Sequence, residues 1–97
     1  MQRVFDVTQK FISAMDVIAM QADSVDDVDP SIRDLHKALQ NYPNLPADYT
    51  GLATVEKWVT ILSSKKAHDK LSEEEIRQLK FDLDKEYASY EELLKQH

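Results

Sequence analysis

Four runs of apolar residues spaced by threes and fours fill most of this chain, and a single glycine, Gly51, interrupts its 97 residues. That spacing gathers side chains on one face of an α-helix, where successive residues turn by about 100°. A β protein of this size needs many tight turns, and tight turns draw heavily on glycine. The fold class that follows is all-α. Stripes that must bury one another give an antiparallel, up-and-down four-helix bundle with helices at about 2–26, 30–42, 52–63 and 72–96. One domain is expected to span residues 1–97.

Val4, Val7, Phe11, Met15, Ile18, Ala22 and Val25 form the stripe of the first helix, with Phe5, Ile12 and Ala19 as a second row beside it. Asp23, Asp26, Asp27 and Asp29 then place negative charge where a helix C-terminus disfavours it, so the cluster reads as a stop. Asp29-Pro30 reads as the next start, with aspartate as N-cap and proline at the first helical position, where no amide is needed. Ile32, Leu35, Leu39 and Tyr42 mark a second helix that ends at Pro43, and residues 43–51 are an irregular connection. Leu52, Val55, Val59 and Leu62 make a third stripe. Ser72 and Glu75 have the spacing of a capping box, and Leu71 is placed to staple onto Ile76. The last stripe runs Ile76, Leu79, Leu83, Tyr87, Tyr90 and Leu94. These patterns predict a core containing Phe11, Met15, Ile18, Leu35, Leu39, Val59, Leu79, Leu83 and Tyr87.

Charge and composition narrow the function. A net charge of −6 disfavours nucleic acid and anionic lipid, which both require a basic surface. The absence of cysteine removes disulfides, thiolate metal sites and thiol nucleophiles together. No apolar run reaches the ~18–20 residues of a membrane span. His36, His68 and His97 lack the Glu-x-x-His spacing of metal sites in bundles. Asp23–Asp29 lacks the glycine and the closing glutamate of an EF-hand. Glu73, Glu74 and Glu75 sit in a first helical turn, where the dipole favours acids without any catalytic role. The expectation is a protein that is not an enzyme and uses no cofactor or metal.

Apolar residues away from the stripes carry more information. Phe81 lies about 140° from the centre of the last stripe, with Ala88 seven residues on and nearly in line. Trp58 is about 80° off the third stripe, Ile61 is nearly opposite it, and Tyr49 stands in the proline-rich connection. Each of these is open to two readings: burial against a second neighbouring helix, or membership of a partner-docking surface. The candidate protein-binding residues are therefore Phe81, Asp82, Lys85, Ala88, Trp58, Ile61 and Tyr49, with Asp82, Lys80 and Lys85 as a charged rim around Phe81.

The ordered set of segments is also familiar. Val-Thr-Gln-Lys-Phe-Ile-Ser-Ala-Met-Asp (7–16), Pro30 with Ile32-Arg33-Asp34-Leu35, and Leu45-Pro46-Ala47-Asp48-Tyr49-Thr50-Gly51 come in sequence. Thr54-Val55-Glu56-Lys57-Trp58-Val59 and Ile76-Arg77-Gln78-Leu79-Lys80-Phe81-Asp82-Leu83 follow. Together they resemble the C-terminal domain of the vacuolar protein sorting-associated protein 28 family, a subunit of ESCRT-I. The resemblance implies a four-helix adaptor domain, the C-terminal part of a longer protein that meets the other ESCRT-I subunits through an N-terminal region not in this chain. It implies the ESCRT-II GLUE-domain subunit and an ESCRT-III subunit as partners, during sorting of ubiquitinated cargo into multivesicular bodies. A cytoplasmic protein recruited peripherally to endosomes is the implied location. The alternative is a generic helical bundle that binds an amphipathic helix of an unrelated partner.

Overall fold

The computed structural model describes residues 2–43 and 45–95, with side chains from Asp6 onward. Four helices follow one another: α1 (Gln2–Ala19), α2 (Val25–Gln40), α3 (Gly51–Ser63) and α4 (Glu73–Lys95). They pack as a square in which α1 neighbours α2 and α4, α3 neighbours the same two, and the diagonal pairs stay apart. Cross-links fix the directions. Phe11, midway along α1, meets Tyr87 and Tyr90 in the second half of α4. Beyond the end of α1, the Asp23 carbonyl accepts from the Leu71 amide just before α4 begins. On α3 and α4, Thr54 reaches Glu86 whereas Lys65 reaches Glu75. Both pairs are antiparallel, as an up-and-down bundle requires. The body measures 41 × 22 × 19 Å.

Two helix boundaries differ from the sequence expectation. Helix α1 ends at Ala19 rather than near residue 26. Gln21 turns the chain with a left-handed φ of 63°, its amide donating to the Ile18 carbonyl and that of Ala22 to the Val17 carbonyl. This is a Schellman closure, in which glycine is the usual left-handed residue, so the sequence offers no glycine to mark it. The chain carries the cost of a side chain in that region. Gln21→Gly is expected to raise stability by a few tenths to about 1 kcal/mol, as relief of that cost outweighs added freedom of the unfolded chain. A chemical denaturation midpoint at or below wild type would contradict it.

Helix α2 begins at Val25, before Asp29-Pro30. Ser24 is the N-cap, accepting from the Asp27 amide on its hydroxyl at 3.3 Å. The Val25 and Asp26 amides donate to the Asp69 and Ala67 carbonyls at 2.9 and 3.0 Å. Three of the orphan donors of the first turn are thus satisfied, two of them by the α3–α4 loop. Asp26 and Asp27 become favourable first-turn acids instead of a stop signal. Pro30 lies inside the helix, where it removes the amide that would have bonded the Asp26 carbonyl.

The other two helices follow their signals. Ser72 and Glu75 close the capping box, the Glu75 amide donating to the Ser72 hydroxyl at 3.0 Å and the Ser72 amide to the Glu75 carboxylate at 2.8 Å. Leu71 is buried beside it. At α3, a side chain on Gly51 would collide with the Tyr49 ring, so the one glycine is what lets that ring lie over the start of the helix.

The core is filled by Val7, Phe11, Ala14 and Ile18 from α1, Val28, Ile32, Leu35 and Leu39 from α2, Val55, Trp58 and Leu62 from α3, and Leu79, Leu83 and Tyr90 from α4. Met15, Val59 and Tyr87, expected in the core, are partly buried at its edge. On α4 the buried set is Leu79, Asp82, Leu83, Glu86, Tyr90 and Leu93. Its centre is rotated by about 40–50° from the apolar stripe, at 100° per residue. Two carboxylates have taken positions that pattern reading reserves for hydrocarbon. Val4, Phe5 and the expected helix end at residue 96 lie outside the described side chains, as does His97.

Candidate protein-docking surface

Phe81 lies on the outer side of α4, away from both the apolar stripe and the buried arc. The ring is 60% accessible. It stands about 150° from the centre of the buried arc. Lys85 and Ala88, one and two turns further along, are exposed with it.

Beneath that surface lies a polar clamp between α3 and α4. Asp82 is 7% exposed and Trp58 3%. The indole N–H of Trp58 donates to Asp82 Oδ2 at 2.8 Å, Lys57 Nζ donates to the same oxygen at 3.1 Å, and Gln78 Nε2 donates to Oδ1 at 2.9 Å. Burial is the largest influence on the Asp82 carboxyl and pushes its pKa up. The donations from Trp58, Gln78 and Lys57, with the lysine charge, together outweigh burial and hold it below the ordinary aspartate value. Lys57 also lies 5.5 Å from the centre of the Trp58 ring.

One turn along α4, Glu86 is 1% exposed. Thr54 donates to it at 2.6 Å, and Thr50 lies 2.9 and 3.0 Å from its two oxygens. The carboxylate therefore sits at the N-terminal turn of α3, where the helix dipole stabilises negative charge. Tyr49 donates to the Glu86 main-chain carbonyl at 3.0 Å. Burial first, then the Glu86 charge and Tyr90, push the Tyr49 hydroxyl well above its ordinary pKa. The threonines that serve Glu86 carry a readable clue, Thr50 and Thr54 being one helical turn apart, but their acceptor is distant in sequence.

The seven sequence candidates thus divide. Phe81, Lys85 and Ala88 share the outer face of α4. Trp58 and Asp82 are corrected as surface residues: their mutual hydrogen bond turns both inward, which is how a buried indole satisfies its N–H. Ile61 and Tyr49 are partly buried against the core. Two further features had no counterpart in the sequence reading. Met20 is 74% exposed at the end of α1. A hollow of about 480 Å³ opens between α1 and α4, lined by Ile18, Ala22, Leu71, Ile76, Arg77 and Lys80 among others. Of the three histidines, His36 is 3.4 Å from Glu56, and His68 lies in the exposed α3–α4 loop. Among the described residues no group of three metal-ligating side chains converges.

The bundle has relatives. A family model described as VPS28 protein matches residues 1–94. The chain belongs to the VPS28 family. Vacuolar protein sorting-associated protein 28 homolog 2 of Arabidopsis thaliana is 37% identical over 87 residues, which cover 90% of this chain and 41% of that protein. The Dictyostelium discoideum protein 28 is 34% identical over 94 residues, 97% of this chain and 33% of that one. The chain therefore spans less than half the length of these VPS28 relatives. The solved C-terminus of yeast ESCRT-I Vps28 superposes with a TM-score of 0.84 at 25% identity, covering 95% of this chain and 91% of that one.

Proposed function

We propose that this VPS28-family domain is a non-catalytic docking module of ESCRT-I. It recruits the ESCRT-II GLUE-domain subunit and an ESCRT-III subunit while ubiquitinated cargo is sorted into multivesicular bodies. The observation that carries the reading is the family match over residues 1–94, reinforced by the likeness to yeast Vps28 along nearly the whole fold. In this reading the domain works in the cytoplasm, is recruited to endosomes, and belongs to a longer protein that meets the other ESCRT-I subunits elsewhere. None of the described helices is long and apolar enough to cross a membrane.

The contact surface in this proposal centres on Phe81, with Lys85, Ala88 and the exposed edge of Ile61, over the rigid Trp58–Asp82 clamp. An exposed aromatic on a braced helix loses little freedom on binding, which favours it as an anchor. Phe81→Ala is expected to weaken binding of the ESCRT-II or ESCRT-III subunit about fivefold or more while leaving the melting temperature nearly unchanged. Calorimetric titration with each purified subunit tests both halves. A wild-type domain that binds neither subunit retires the adaptor role.

The hollow between α1 and α4 favours a second reading, in which an amphipathic helix of an unrelated partner lies in that groove. Chemical-shift changes at Ile18, Ala22 and Ile76 rather than at Phe81 distinguish it.

A further inference from the structure

We infer that the middle of α4 receives a short acidic segment of a partner protein, one that sets an apolar side chain on Phe81 and carboxylates on the cations around it. The inference rests on the docking role proposed above and names the chemistry of the occupant. Its basis is a local reversal of charge. The whole chain carries −6, yet Arg77 and Lys85 lie within about 40° of Phe81 around the helix, with Lys80 about 100° round toward the α1–α4 hollow. Arg77 precedes Phe81 by four residues and Lys85 follows it by four, so both flank the ring, one turn to either side. Both are exposed, and neither forms an ion pair among the described residues. Lys57 adds a partly exposed ammonium from α3, shared with Asp82. Against them stands Asp84, since the Asp82 carboxylate is turned inward to Trp58.

The same line on the helix surface also sets the length of the segment. Glu74 and Glu92 lie within about 20° of Phe81 around the axis and about 27 Å apart along it. Both are exposed carboxylates. A long acidic stretch lying along α4 meets repulsion at both ends, while one of two to three helical turns fits between them. An anionic bilayer matches the surface less well, because a flat sheet of negative charge meets those glutamates together with the basic patch.

The test is a selection of random peptides of about sixteen residues on the intact domain, followed by shift mapping and affinity measurement. Enriched sequences are expected to hold acidic residues on either side of a leucine or aromatic, with shifts centred on Phe81, Lys85 and Ala88. Their affinity should fall about tenfold or more in Phe81→Ala and in Arg77→Glu/Lys85→Glu, and rise in Asp84→Lys. It should also weaken severalfold from about 50 to about 300 mM salt, as exposed charges are screened. Peptides without acidic enrichment, peptides that map to the α1–α4 hollow, or an empty selection overturn the inference. So does binding to phosphatidylserine vesicles that is lost in the same variants. The adaptor role is judged separately by the ESCRT-II and ESCRT-III titrations, so either proposal can fail while the other stands.

Discussion

Replacing Phe11 with alanine is expected to destabilise the domain by about 3–5 kcal/mol, read from urea or thermal unfolding. Phe11 is fully buried, and its ring centre lies 5.5 Å from that of Tyr87 and 5.7 Å from that of Tyr90. Tyr90 in turn meets Tyr42 edge-on at 6.2 Å, so the phenylalanine supports a chain of rings that ties α1 to α4 and to the end of α2. Truncation removes the hydrocarbon and leaves a void walled by two tyrosines that cannot both fill it. Tyr90 is held by packing on all sides, whereas Tyr87 is partly exposed and has some room to swing inward. Domains of this size have total stabilities of about 5–15 kcal/mol, so the loss is a large share. Phe11→Leu, which keeps most of the volume, should cost under about 1.5 kcal/mol if it repacks. A loss under about 1 kcal/mol for the alanine variant would mean that the Tyr87 ring collapses into the site.

The helical period was legible because burial in a bundle is periodic, and the four stripes alone lead to this architecture. The capping box at Ser72 and Glu75 was legible for a different reason: both partners sit within one turn, so the interaction is written locally. The start of α2 was not. A local reading prefers Asp29-Pro30, but Ser24 wins because carbonyls at Ala67 and Asp69 accept the first amides of the helix. Those acceptors lie some forty residues away in the chain, so a window of local sequence cannot contain them. The end of α1 was hidden for the opposite reason, since Gln21 adopts a conformation that its residue type disfavours.

The site was legible in part. Phe81 stood off the α4 stripe in the sequence, and the structure leaves it exposed. Trp58 stood off its stripe as well, yet it is buried. It lies near the centre of the face that α3 buries, whereas Phe81 lies nearly opposite the face that α4 buries. An indole N–H needs an acceptor when it leaves water, and Asp82 on the neighbouring helix supplies the one that lets Trp58 be buried there. Hydrophobic patterning treats Asp82 and Glu86 as surface residues. It misses that each accepts from side chains on α3 or at its N-cap, an arrangement visible only once the helices are side by side.

Asp82→Ala is expected to cost about 2–4 kcal/mol, because it leaves the buried Trp58 N–H without its acceptor and strips Gln78 and Lys57 of theirs. The same carboxyl makes part of the stability depend on pH. Its folded-state pKa is lowered, so its contribution is fully present above the ordinary aspartate range and is lost as pH falls through the depressed value. Asp82→Asn keeps the shape and an acceptor for Trp58 but has no charge to titrate. The stability gap between wild type and the asparagine variant should therefore be widest near neutral pH and narrow steadily below the ordinary carboxylate range. Glu75, also lowered, chiefly by the Ser72 backbone amide, contributes its own acid-dependent loss. That loss is common to both proteins and cancels in the difference. Because Lys57 is about half exposed, salt should weaken the effect only in part; the neutral donors Trp58 and Gln78 are insensitive to screening. A gap that stays constant from neutral pH into strong acid would show that the clamp gains nothing from the aspartate charge. The bracing of α4 beneath Phe81 would then rest on shape and neutral hydrogen bonds alone.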